Sequence, residues 1–231
     1  MPRNLFTANM KLSDLLFANY NLIFILSRFG IKLGFGEKTV EEVCLKYGVS
    51  TSFFLMIANV TTFENYYPEI NEIQSLNVEE LINYLHASHI YYREDKIKSI
   101  EKQLNNLYED NKDYKIIFNR FFSEYKNEVI NHFDYEEDIV FPYIKDLMHN
   151  KISVNYNINR FEKNHSNIED KLDDLINILI KYLPVEGNDK KREEILFTVF
   201  LFSKDLYKHN LIEEKILIPW VKQIEEKYEQ Q

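Results

Sequence analysis

The sequence predicts an all-α protein: an antiparallel four-helix up-down bundle preceded by a small helical N-terminal domain. Three observations carry this expectation. Gly and Pro number five each in 231 residues, too few for the tight turns of a sandwich or barrel. From Asn77 onward apolar residues recur at three- and four-residue spacing, with Lys and Glu between them, the pattern of amphipathic helices. The separators YEDNKD, HNKIS and PVEGNDK are short and rich in turn formers, as connections between long antiparallel helices are. With 45% hydrophobic residues, the chain buries a core without staples.

The elements follow in order. LSDLLFANYNLIFILSRF (12–29) has helical periodicity, with Ser13 as its expected N-cap and Gly30, Gly34 and Gly36 as breaks. TVEEVCLKYG starts at Thr39 with a capping-box acid at Glu42 and stops at Gly48. Ser50 or Ser52 opens a third helix running to about Ala58. Residues 1–60 thus form the small N-terminal domain, and 61–76 read as a linker. Four long helices follow, over about 77–108, 113–148, 154–182 and 190–228, in a domain spanning 77–231.

Within these helices the chain repeats itself. HFDYEEDIVFPYI (132–144) and HNLIEEKILIPWV (209–221) align without a gap at an offset of 77 residues. His132, Glu136, Glu137, Ile139 and Pro142 match His209, Glu213, Glu214, Ile216 and Pro219. His86 and His165, each near the start of the preceding helix, are 79 residues apart. The bundle therefore reads as two similar hairpins, each offering one lone histidine and one His-x-x-x-Glu pair.

Residues four apart on a helix lie within roughly 40° of each other, so His132 and Glu136 reach one point, as do His209 and Glu213. Glu137 and Glu214, about 100° further round, are expected to face outward. The candidate metal ligands are His86, His132, Glu136, His165, His209 and Glu213. Imidazole with carboxylate suits iron, manganese or zinc. Two carboxylates can each bridge two metals, four histidines divide two per metal, and six ligands leave open positions for a small molecule. Two buried glutamates without such cations would be very costly. His89, three residues after His86, reads as a surface residue or, less favoured, as a partner behind the ligands; His149 is expected in a turn and Cys44 in the core as a small apolar residue. Pro142 and Pro219 read as kinks or late-turn stops.

The net charge of −9, with no dense Lys/Arg cluster, argues against nucleic acid. The single cysteine excludes an internal disulfide, and with no secretory signal it points to the cytoplasm. No early apolar stretch is long enough to span a membrane. The apolar, aromatic N-terminal region offers a homodimer contact.

The repeated H-x-x-x-E-E-x-x-x-x-P blocks resemble hemerythrin-like domains, and more specifically the di-iron proteins for repair of iron centres (RIC). The resemblance covers nearly the whole chain. It implies a hemerythrin-like bundle in which the six residues above hold two non-haem, carboxylate-bridged iron ions. It also implies repair of iron–sulfur clusters after nitrosative or oxidative damage, with damaged iron–sulfur proteins as partners and nitric oxide or dioxygen as small ligands. The alternative is a module that binds or senses oxygen or nitric oxide. LSDLLFANYNLIFILSRFGIKLGFGEKTVEEVC resembles the family's small N-terminal domain, but Gly34-Phe35-Gly36 stands where that family has paired cysteines.

Overall fold

The computed structural model describes residues 5–107, 112–151, 156–164, 168–181 and 188–229. Among them the chain is all-α, with only an isolated antiparallel bridge between Lys11 and Thr39 outside helices and turns. None of the described helices is long and apolar enough to cross a membrane. By internal contacts the chain forms two compact units, Met1–Ala87 with Lys208–Gln231, and Ser88–Tyr207.

The first unit opens with α1 (Leu12–Ala18) and α2 (Leu22–Arg28). The expected single helix over 12–29 is divided because Asn19 adopts an extended conformation and its side-chain oxygen accepts from the Asn21 backbone N–H at 3.1 Å. This local bond competes with the helical ladder, and the Asn19 amide also donates to Thr62 Oγ1 at 2.9 Å. The N-cap of α1 is Lys11 rather than Ser13. Helix α3 (Val40–Tyr47) has the expected capping box of Thr39 and Glu42, and Gly48 ends it at a φ of 68°, where only glycine is unstrained. Ser50 caps α4 (Thr51–Thr62). The segment read as a linker contains α5 (Ile70–Gln74), started by a second capping box of Glu69 and Glu72. Buried Asn59 holds Phe6 through both of its backbone groups. The Phe29 ring lies 4.9 Å from Tyr84 and 5.5 Å from Phe53 and Phe54.

The long helices match the expected ranges, but wide π-helical turns interrupt three of them. Helix α6 (Val78–Tyr91) passes into a π turn at Tyr92–Ile97 and then into α7 (Lys98–Leu107). Helix α8 (Lys112–Tyr135) passes through a π turn at Glu136–Val140 into α9 (Phe141–Met148). Helices α10 (Ile158–Asn164) and α11 (Ile168–Lys181) share the third range. The last comprises α12 (Asp189–Ile212), a π turn at Glu213–Leu217, and α13 (Ile218–Glu229).

The core of the second unit is built on regular stripes. Phe118, Phe122, Tyr125, Val129 and Phe133 of α8 pack with Leu172, Leu175 and Leu179 of α11 and with Ile195, Val199, Phe202 and Leu206 of α12. These are three- and four-residue steps, so one face of each helix supplies the apolar surface.

Phe122→Ala is expected to destabilise the protein by about 3–5 kcal/mol, whereas Phe17→Ala, at a position 90% exposed, should change stability by no more than about 0.5 kcal/mol. Urea unfolding midpoints decide between them. Burial pushes the Cys44 thiol up to about 11. Its thiolate is the reactive form, so thiol reagents at pH 8 should label it only after denaturation. A raised folded pKa stabilises fully below the unfolded value of 9.0 and is lost as pH rises toward about 11.

Candidate metal centre

The apolar stripes continue into polar residues. One further three-residue step along α8 from Phe133 reaches Glu136, and one step along α12 from Leu206 reaches His209. Both are fully buried, as is Glu213. A π turn begins at each glutamate. In both blocks it closes the same way: the N–H of Phe141 donates to the carbonyl of Glu136, and the N–H of Ile218 donates to the carbonyl of Glu213. The next residue in each block is proline, Pro142 or Pro219. Proline cannot donate, and in an α-helix its ring would clash with the carbonyl four residues earlier. The wider i-to-i+5 turn absorbs that defect at the candidate ligand. The helix continues past both prolines, so they are neither stops nor late-turn breaks.

Each carboxylate is met by imidazole. His132 Nε2 lies 2.7 Å from Glu136 Oε1, and His89 Nε2 lies 2.9 Å from Glu136 Oε2. Glu136 thus has a histidine nitrogen on each oxygen. In the second block His209 Nε2 lies 2.9 Å from Glu213 Oε1. His89, Glu136, His209 and Glu213, all buried, each offer a ligand atom, and these atoms lie within 4.8 Å of one another.

The donor set fits cations of the iron, zinc or manganese class. Two ligand atoms each about 2.1 Å from one ion and at right angles are about 3 Å apart. The observed nitrogen–oxygen separations of 2.7–2.9 Å have that edge length. Nitrogen and carboxylate donors without thiolate favour iron, manganese or zinc over the softer metals. Two fully buried carboxylates carry charge that the interior does not solvate, and divalent cations would neutralise it.

The residues named from sequence are distributed as follows. His132 and Glu136 are brought together, and so are His209 and Glu213. His165 lies outside the described residues. His86 is exposed on α6 and does not join the cluster. His89, expected on the surface, is 1% exposed and does join it. The physical reason is the face of α6: Val78, Leu81, Leu85, Ser88, His89 and Tyr92 are all buried, whereas Glu79, Asn83, His86 and Ile90 fall on its exposed side. Continuing the apolar stripe past Leu85 would have selected His89. The repeat carried the same signal, because His89 is 76 residues before His165, closer to the 77-residue offset than His86 is. Glu137, expected outward, lies 2.7 Å from His89 Nδ1, with its side chain only 26% exposed. Glu214 is exposed, as expected, and so is His149, whose Nδ1 lies 2.7 Å from the Lys145 carbonyl.

A family model described as the hemerythrin HHE cation-binding domain matches residues 80–221, more than half of the chain and every candidate ligand named above. No curated protein matches the chain.

The geometry predicts that His89→Ala lowers metal uptake by at least tenfold, while His86→Ala leaves it unchanged. Elemental analysis of the two purified variants after identical loading checks this.

Proposed function

Because the chain belongs to the hemerythrin HHE cation-binding family, we propose that it holds two non-haem iron ions and serves in the repair of damaged iron–sulfur clusters. The observation that carries the metal part is the buried cluster of His89, Glu136, His209 and Glu213, with His132 completing the pair on Glu136. Glu136 and Glu213 are the residues that would bridge the ions. His165, on the resemblance of its motif, is the further ligand. Bound there, iron supplies one-electron chemistry and open coordination positions for a small oxidant or nitric oxide.

The protein's own part is to hold that chemistry dry. The carboxylates and His209 are fully buried. The His89 ring stacks on Phe133 at 4.4 Å and on Phe141 at 5.7 Å, so apolar rings rather than water surround one side of the site. The repair role rests on the likeness of both the paired blocks and the N-terminal segment to RIC proteins. A thiol contribution from the N-terminal turn is excluded by Gly34-Phe35-Gly36. Cys44 is buried and its thiol is pushed up to about 11, so it does not substitute.

One observation favours a second reading. Glu136, His209 and Glu213 are at 0% exposure, which would screen a bound ion from acceptors in solution and suits a module that keeps its iron and binds dioxygen or nitric oxide reversibly.

Iron-loaded protein, mixed without air with a nitrosylated or oxidised cluster enzyme, should restore activity faster than the same amount of free iron. Equal rates would remove the repair role. Reversible spectral changes of the reduced protein under either gas, with iron retained, would establish the second reading. Metal analysis and a Mössbauer spectrum should give two ferric or ferrous sites per chain. Stripping the metal with a chelator should lower Tm by roughly 5–10 °C relative to protein held at a metal concentration a hundredfold above Kd.

A further inference from the structure

With Glu136 and Glu213 taken as bridging residues, the second glutamate of each block is left without a part. The two behave differently. Glu214 is exposed. Glu137 turns toward His89, its Oε1 2.7 Å from His89 Nδ1, although sequence geometry places it outward. The π turn contributes to this, because a wider turn advances each residue by less than the 100° of an α-helix and keeps Glu137 nearer the face of Glu136.

His89 has two decisions to make, the direction of its ring and the nitrogen that carries its proton. Stacking on Phe133 and Phe141, with interplanar angles of 19° and 4°, fixes the plane of the ring but decides neither. An ionised carboxylate only accepts hydrogen bonds. With Glu137 accepting from Nδ1–H, the ring presents Nε2, the atom 2.9 Å from Glu136 Oε2, to an ion. Flipping the ring would break both contacts together.

We propose that Glu137 is the positioning residue of His89: it fixes the tautomer and ring direction that make Nε2 a metal ligand. This rests on the metal-centre reading above. A carboxylate behind a ligating imidazole raises its basicity and orients it, and removing such a group typically costs about 10–100-fold in metal affinity. In this role Glu137 acts through the far nitrogen of His89, 2.7 Å from its Oε1.

The test uses the full chain, loaded with ferrous iron without air and titrated against a chromophoric chelator. E137A should bind iron about 10–100-fold more weakly than wild type. E137Q keeps a carbonyl oxygen that accepts from Nδ1–H and should lose less than E137A. E214A should bind as wild type does. Ring-nitrogen NMR of the proteins loaded with zinc, a diamagnetic stand-in, supplies a readout that packing alone does not move: His89 should coordinate through Nε2 and keep a hydrogen-bonded Nδ1–H in wild type, and lose that single arrangement in E137A. Unchanged iron affinity in E137A, or an equal loss in E214A, overturns the role while leaving the metal centre standing. A wild-type protein that takes up no iron overturns the metal-centre reading and this role with it.

Discussion

Glu136 and Glu213 sit at 0% exposure on helix faces that are otherwise apolar, and the surrounding arrangement answers to that. A buried carboxylate must be hydrogen-bonded, paired or metal-bound. Each here faces imidazole nitrogen at 2.7–2.9 Å. The histidines are in turn placed by ordinary core periodicity, because they occupy the next step of stripes made of Phe, Val and Leu. The same amphipathic pattern that folds the helices therefore delivers the ligands. The expense of burying polar groups is confined to one end of each stripe, and the apolar remainder carries the stability.

The two blocks repeat down to their backbone defect. In each, the residue before proline closes a wide turn onto the carbonyl of the candidate bridging glutamate. A regular α-helix would have to lose a hydrogen bond and accept a steric clash at Pro142 and Pro219. The wide turn places that irregularity where the side-chain chemistry is. The blocks then diverge one residue later, where Glu137 meets a histidine and Glu214 meets solvent.

Much of this was legible in the sequence. The all-α class, the long-helix ranges, the capping box at Thr39 and the pairing of His132 with Glu136 and His209 with Glu213 follow from periodicity and from the 77-residue repeat. Which first-helix histidine faces the cluster is not legible in the motif, because His86 and His89 are three residues apart and neither has a glutamate at the fourth position to mark it. Only the register of Leu81 and Leu85 separates them. The π turns were not legible, since they leave composition and capping unchanged. Glu137 departs from the outward direction for that reason: ideal α-helical angles do not hold across a turn that is not α-helical. The break at Asn19 belongs to another class, a side chain outcompeting the ladder locally where the apolar pattern runs straight through.

The divergence of the blocks has a mechanical side. Lys215 aligns with Asp138 in the repeat but is 5% exposed, and its ammonium donates to the carbonyls of Glu64 and Tyr66 and lies 4.4 Å from the centre of the Tyr67 ring. A buried ammonium stripped of its acceptors is costly, so Lys215 ties the segment after α4 to the turn after α12. Glu213 is two residues away on that turn. The segment between α4 and α5 is thereby an anchor: one side chain holds its carbonyls at Glu64 and Tyr66 to the backbone that carries Glu213.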